Sequence, residues 1–96
     1  MLICRVIGTA VSTMKQEKLK NFKLLIVQEV SPENKITASP FVAIDTVGAG
    51  DEEVVLVTRN NPATLAVPDK EIPTDAAIVG IVDSLSLQGK ITFKKE

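Results

Sequence analysis

The chain has 96 residues, of which 45% are hydrophobic and 3% aromatic, and its 11 basic and 12 acidic residues leave a net charge of -1. This length predicts one domain, residues 1–96, whose single modest core is filled mainly by small aliphatic side chains. The balanced charge gives no general attraction to nucleic-acid phosphates or to an anionic membrane surface, so generic binding to either is disfavoured.

The N-terminal residues have neither the basic start nor the cleavage site of a signal peptide, and the apolar runs are too short to span a membrane. The single cysteine, Cys4, lies in an apolar run, which fits a reducing compartment, and we predict that it is a core residue. We therefore expect a cytoplasmic protein with no membrane partner.

The first third of the chain predicts two long strands. Residues Leu2–Thr13 and Phe22–Val30 are rich in aliphatic side chains, and the first run is apolar on both of its alternating faces. Gly8 lies inside the first strand and predicts a bend or bulge that helps a sheet to curl. The polar residues Met14–Asn21 between them predict a solvated loop.

Two further strands are predicted at Phe41–Ile44 and Val54–Arg59, and the segment between them has almost no side chains. It contains Asp45, Thr46 and the run Gly48-Ala49-Gly50. Such a loop suits either a tight turn or a crowded meeting point of several backbones. The acidic residues that follow it exclude a phosphate-binding loop.

The remaining elements are shorter. Asn60-Asn61-Pro62 predicts the start of a short helix at Ala63–Ala66, because a possible cap residue precedes a proline at the first helical position. The run Ala76–Val82, which contains Gly80, predicts a buried strand. A tight reversal at Leu87–Lys90 then leads into a final strand at Ile91–Phe93.

An all-β chain of five or six strands with one short helix predicts a small closed or partly open β-barrel. Turns are expected at Ser31–Asn34, where Pro presets one dihedral angle and Asn accepts the left-handed region. Gly8 and Gly80 are placed where strands can bend at the corners of such a barrel.

The residues give little support for catalysis. The chain has no His, Tyr or Trp, no nucleophile with a partner base, and no acidic cluster with metal-ligand spacing. Asp45 and Asp83 could form a carboxylate pair, but each lies at a strand end, where Asp more often caps a turn. We expect no enzyme activity, no cofactor and no metal.

Four segments in order resemble the vertex proteins of bacterial microcompartments, the EutN/CcmL-type pentameric shell proteins. These segments are Gly8–Thr13 followed by Lys15, Lys23–Val27, Ala43–Asp45 leading to Val47–Gly50, and Val79–Asp83. The resemblance spans nearly the whole chain. The chain departs from the family pattern at Glu52, where many members have glycine, and at Asn60–Ala63, where many have a Gly-Ser-Ser-Ala element.

The resemblance implies an OB-like five-stranded barrel that forms a homopentamer at the vertices of a carboxysome or metabolosome shell. It also implies self-association, contact with hexameric shell proteins, and a position for Gly48, Ala49 and Gly50 near the fivefold axis. Further candidates for the subunit interface or for turns are Asp45, Thr46, Asn61, Gly80 and Asp83. The alternative for Gly48–Gly50 is an ordinary tight turn.

This placement predicts that Ala49→Leu weakens the ring without disturbing the barrel, and that Gly50→Val harms the fold if Gly50 needs a positive φ. The alternative function is an OB-type nucleic-acid or small-ligand binding module. Such binders present aromatic platforms, whereas Phe22, Phe41 and Phe93 lie in apolar runs and are predicted to be core residues.

Overall fold

The computed structural model describes residues 1–11, 22–59 and 75–95. Within these ranges the regular structure consists of strands. They are β1 (Leu2–Ala10), β2 (Lys23–Glu29), β3 (Phe41–Asp45), β4 (Val54–Arg59), β5 (Ala76–Ile81), β6 (Ser84–Leu87) and β7 (Lys90–Lys94). The first five form a closed barrel in the order β1-β2-β3-β5-β4, and β6 and β7 form a separate two-stranded sheet. The predicted barrel is confirmed.

The barrel interior is filled by small aliphatic side chains, as the composition predicts. The residues that share this core include Cys4, Val6, Leu25, Val27, Ala43, Val55, Val57, Ala76 and Ile78. Core residues on one strand lie two positions apart, as Cys4 and Val6 or Val55 and Val57 do, because successive side chains of a strand point to opposite faces. Cys4 is fully buried, so its prediction as a core residue is confirmed.

Two irregularities in strand pairing curve the sheet. The register between β1 and β2 shifts between Val6 and Gly8. Between β4 and β5, Leu56 pairs with Gly80 whereas Val57 pairs with Ile78. Bulges bend a strand and increase its twist, and both lie beside a glycine at which a bend or bulge is predicted.

Neither bulge glycine is needed to make space. A Cβ added at Gly8 would lie 3.5 Å from Ile26 Cδ1, and one at Gly80 would lie 3.7 Å from Leu56 Cδ1. Both are ordinary van der Waals distances, and neither glycine has a positive φ. The glycines therefore permit the bulges, but no neighbouring atom lies so close that a Cβ would be excluded at either position.

The barrel closes through its only parallel strand pair among the described residues. In it, Ile44 of β3 pairs with Ala77 of β5, and Asp45 pairs with Ile78. This seam is short, and the end of β3 at Asp45 lies directly on it. The loop that follows β3 therefore starts from the closure of the barrel.

The β6–β7 hairpin turns at Gln88 and Gly89, whose φ angles are 51° and 82°. Two successive positive φ values are typical of a type I′ turn, and they confirm the tight reversal predicted there. The turn at Ser31–Asn34 is also confirmed, with Asn34 at a φ of 66° and its N–H donating to the Ser31 carbonyl over 2.8 Å.

Several strand boundaries differ from the predictions. β1 ends at Ala10 and Val11 is 95% exposed, while the last two residues of the predicted strand, Ser12 and Thr13, lie outside the described residues. β2 is one residue shorter at each end than predicted, β3 gains Asp45, β5 ends at Ile81, and β4 has the predicted bounds. Strand β6 was not predicted at all. The described residues contain no helix, and the helix predicted at Ala63–Ala66 lies outside them.

Candidate functional site

The loop after β3 is organised by the side chain of Asp45. Its Oδ1 accepts hydrogen bonds from the backbone N–H groups of Val47 and Gly48, each over 3.0 Å, and its Oδ2 accepts one from Ala49 over 2.9 Å. The residue is only 7% exposed. This is the turn-capping role predicted for Asp45, and it fixes the path of three successive residues.

The first half of the same loop is attached to β5 and has a left-handed backbone at Gly48, which is exposed. Thr46 Oγ1 donates a hydrogen bond of 2.6 Å to the Ile78 carbonyl across the barrel seam. Gly48 has a φ of 78°, and a Cβ added there would meet no heavy atom within 4 Å. Gly48 is therefore required for its backbone conformation, while the space around it is open within one subunit.

The second half of the loop is fastened to β1. The Glu52 N–H donates to the Val6 carbonyl over 2.8 Å, and the Val6 N–H donates to the Glu53 carbonyl over 2.9 Å. Glu52 has a φ of 67°, whereas Gly50 does not have a positive φ. Glu52 is thus the residue of this half that has a left-handed backbone. The damage predicted for Gly50→Val depended on a positive φ at Gly50, so that prediction does not apply.

Ala49 is buried in the barrel core. It is 1% exposed and belongs to the same apolar cluster as Cys4 and Val6. The prediction that Ala49→Leu would leave the barrel undisturbed is therefore wrong, because the added atoms would enter a packed interior. A substitution at Ala49 reports on the packing of the subunit and cannot by itself locate the loop in an assembly.

Glu53 connects the loop to the β6–β7 hairpin. Its Oε1 accepts a 2.6 Å hydrogen bond from the Gly50 N–H, and its Oε2 lies 2.8 Å from Lys95 Nζ. The hydrogen bonds from Lys95 and Gly50 lower the pKa of Glu53 below its ordinary value, and the bond to Glu53 raises the pKa of Lys95. Asp83 also favours the charged lysine and accepts a backbone hydrogen bond of 2.7 Å from Lys95.

The structure thus brings together most of the residues singled out from the sequence. Asp45, Thr46 and Gly48–Gly50 form one loop, and Asp83 joins it through Lys95. Gly80 lies in β5 at the bulge, apart from the loop, and Asn61 lies outside the described residues. Glu53 and Lys95 were missed, because their pairing depends on a contact that no local pattern reports.

The described residues do not form an evident reaction centre. They contain no group of three or more His, Cys, Asp or Glu side chains that could hold a metal ion. Burial raises the pKa of the Cys4 thiol to about 11, so it is not a reactive thiolate at neutral pH. The described residues contain no helix that is long and apolar enough to cross a membrane.

The phenylalanines do not form an exposed stacking platform. Phe22 packs with Leu24 against Ile44, and Phe41 packs against the barrel core, with the Arg59 guanidinium 4.2 Å from its ring centroid. Phe93 lies in β7 opposite Leu85 and is half-buried, so it belongs to the hairpin rather than to the barrel core.

The family described as "Ethanolamine utilisation protein EutN/carboxysome" matches residues 1–83 of this chain. The chain belongs to this EutN/CcmL family. Its sequence is 38% identical over 95 residues to the carboxysome shell vertex protein CcmL of Thermosynechococcus vestitus, covering 99% of this chain and 96% of that protein.

Solved structures of family members have the same fold. An ethanolamine utilization protein EutN superimposes with a TM-score of 0.93 at 33% identity, covering 100% of both chains. A pentameric microcompartment shell protein, GrpN from Rhodospirillum rubrum, superimposes with a TM-score of 0.81 at 40% identity, covering 91% of this chain and 99% of its own.

Proposed function

We propose that this protein is a structural component of a bacterial microcompartment shell, in which it forms a homopentamer that caps the vertices. The observation that carries the proposal is similarity along nearly the whole chain to proteins named as shell vertex proteins, one of them described as a pentamer. The match includes the barrel and its fold, so it is more than a shared local motif.

The small barrel suits this role on physical grounds. A shell of hexagonal tiles closes into a polyhedron only where fivefold units replace sixfold ones, and a ring of identical subunits needs two complementary flanks in head-to-tail contact. In this proposal the whole chain, residues 1–96, is one vertex domain that binds copies of itself and neighbouring hexameric shell proteins. It acts without catalysis and without a cofactor.

We place the loop Gly48–Gly50 near the fivefold axis. Gly48 is exposed and has open space beside its Cα within one subunit, and Asp45 holds the loop in one conformation through three hydrogen bonds. A rigid loop with little side-chain bulk is suited to the close approach of five backbones. Ala49 contributes by anchoring the loop in the core.

A matched pair of substitutions tests the axial placement. Gly48 and Gly89 both have a positive φ, and a Cβ on either meets nothing within 4 Å in one subunit. Asn tolerates this backbone region, so Gly48→Asn and Gly89→Asn add similar bulk at similar backbone cost. Native mass spectrometry with dilution should show weaker pentamers for Gly48→Asn only. Equal ring stability in the two variants would remove the loop from the axis.

Nucleic-acid binding is not favoured by the structure. Phe22 and Phe41 pack against the barrel, and the net charge is -1. Single-stranded binders of the OB type use exposed aromatic side chains and a basic groove. A gel-shift assay with single-stranded oligonucleotides should therefore show no salt-sensitive binding at micromolar protein, and a clear shift would contradict the structural role.

A further inference from the structure

The outer surface of strands β1, β2 and β3 is apolar. The pairing register places Gly8, Ile26 and Val42 side by side in one row across the three strands, and Ala10, Leu24 and Ile44 in the next row. We call these six residues, together with Ile7 at the bulge, the outer apolar face. The barrel core is filled from the opposite side of the same strands, by residues such as Val6, Leu25 and Ala43.

This arrangement differs from that of a strand whose second face meets water. Antiparallel strands with one solvated face alternate apolar and polar residues, whereas strands covered on both faces are apolar throughout. The run Leu24-Leu25-Ile26-Val27 in β2 is of the second kind. The sequence of these strands therefore indicates that both of their faces are covered in the functional state.

Only half of the outer apolar face is covered within one subunit. Ile44 is 2% exposed because Phe22 and Leu24 pack against it. At the other end, Ile7 and Val42 are each 47% exposed, and Ile26 between them is half-buried. The uncovered part is thus an aliphatic surface of the barrel wall itself.

Polar groups border this surface. Arg5 and Gln28 pair across β1 and β2, where they precede Ile7 and follow Ile26 along their own strands. The Arg5 guanidinium donates to Asn34 Oδ1, and Gln28 Nε2 donates to the Ala38 carbonyl over 3.0 Å. An apolar centre with a polar border is the usual anatomy of a protein–protein interface, and it offers nothing to a polyanion.

We infer that the outer apolar face is one side of the contact between adjacent copies of this chain in the ring. This inference rests on the proposed function, because a second copy is the partner that a homopentamer requires. In a closed ring of five the contact is head to tail, so the face meets a different surface of the next copy rather than its own counterpart. Each copy then covers the exposed aliphatic surface of its neighbour.

The test is the dissociation of the full-length protein on dilution, followed by native mass spectrometry and light scattering. Val42→Lys puts a charge on the uncovered surface and should raise the protein concentration at half-dissociation at least tenfold. Val42→Thr keeps the β-branched shape, loses apolar contact, and should raise it several-fold. The second variant decides the outcome if the first one fails to fold.

Ile36→Lys is the matched control, since Ile36 is 62% exposed but lies outside the face, in an isolated bridge with Val30. It should leave the half-dissociation concentration unchanged. If both Val42 variants dissociate like the wild type, or if Ile36→Lys weakens the ring equally, the inference is overturned.

The remaining outcomes separate this inference from the proposed function. A wild-type protein that is monomeric at all concentrations would overturn both. A pentameric wild type with unaffected Val42 variants overturns only the assignment of the face. Val42 variants that stay pentameric but no longer bind a hexameric shell protein would also overturn it, by assigning the face to that partner instead.

Discussion

Asp45 is the side chain on which the conformation of the loop between β3 and β4 depends most directly. One buried carboxylate satisfies three backbone N–H groups, and each N–H would be left without its partner if the carboxylate were removed. A buried donor that loses its acceptor costs the desolvation of that group. The residue type and position were predictable from the sequence, whereas the number of bonds was not.

We expect Asp45→Ala to lower the free energy of unfolding by roughly 2 to 4 kcal/mol, because the N–H groups of the loop lose their acceptor. Urea unfolding followed by far-ultraviolet circular dichroism measures this, at one fixed protein concentration. Asp51→Ala is the control, since Asp51 is an exposed acidic residue of the same loop. Equal stability of the two variants would contradict the role assigned to the Asp45 carboxylate.

Glu52 provides the opposite kind of prediction. It holds a φ of 67°, a region that costs an ordinary L-residue about 1 kcal/mol relative to glycine. Glu52→Gly should therefore raise the free energy of unfolding, by up to about 1 kcal/mol after the added freedom of the unfolded chain is counted. Glu52→Ala serves as the comparison. It removes the same charge but keeps the strain, so a matching gain from Ala would assign the effect to charge.

At the level of the elements, the Glu53–Lys95 pair joins the β6–β7 hairpin to the loop before β4. The pKa of Glu53 is lowered from 4.5, so its contribution to stability is complete above that pH and is lost as the pH falls through the lowered value. The pKa of Lys95 is raised from 10.5, so its contribution is complete below that pH and is lost as the pH rises through the raised value.

Lys95→Met should therefore lower the melting temperature between pH 4.5 and pH 10.5. The difference from the wild type should shrink in acid, where Glu53 becomes protonated, and in base, where Lys95 loses its proton. Added salt should also reduce the difference, because the pair is partly exposed. Thermal unfolding across pH measures this, with Lys94→Met as the control. A difference that persists unchanged at the acidic end would mean that packing of the side chain, not its charge, links the hairpin.

The strands of the barrel could be predicted because each combines β-branched residues with a clear boundary. Val54–Arg59 is the clearest case, as the acidic turn before it and Asn60 after it both interrupt the apolar run. Strand β6 was missed although Ser84–Leu87 alternates strictly, because four residues of modest β-propensity give a weak signal. Pairing with β7 stabilises a strand that its local sequence favours only weakly.

The burial of Ala49 could not be predicted, for a different reason. Nothing in Gly48-Ala49-Gly50 distinguishes an alanine that points outward from one that enters the core. The direction is set by Asp45, which folds the loop back over the end of the barrel, and by the closure of β3 on β5. Both depend on contacts that form only when the barrel folds, so the local sequence does not report them.

At the scale of the whole molecule, one subunit has principal extents of 45 × 23 × 23 Å. In the proposed ring, each subunit is further stabilised by its neighbours. Binding that exists only in the folded state raises stability in proportion to the logarithm of partner concentration. The melting temperature should therefore increase with protein concentration, in a differential scanning calorimetry series from low to high micromolar. A constant melting temperature would indicate that the folded subunit gains nothing from assembly.

Cys4 has a consequence for how the assembly can be observed. It is the only cysteine of the chain, it is fully buried in the barrel, and burial raises the pKa of its thiol to about 11. A cysteine introduced at an exposed position such as Gln88 would therefore be the one thiol that reacts readily with a maleimide or a spin label at neutral pH. Fivefold symmetry would then give two probe separations, between adjacent and between alternate subunits, in the fixed ratio of the side to the diagonal of a regular pentagon. A distance measurement between labels on the otherwise native protein thus counts the copies in the ring from geometry alone.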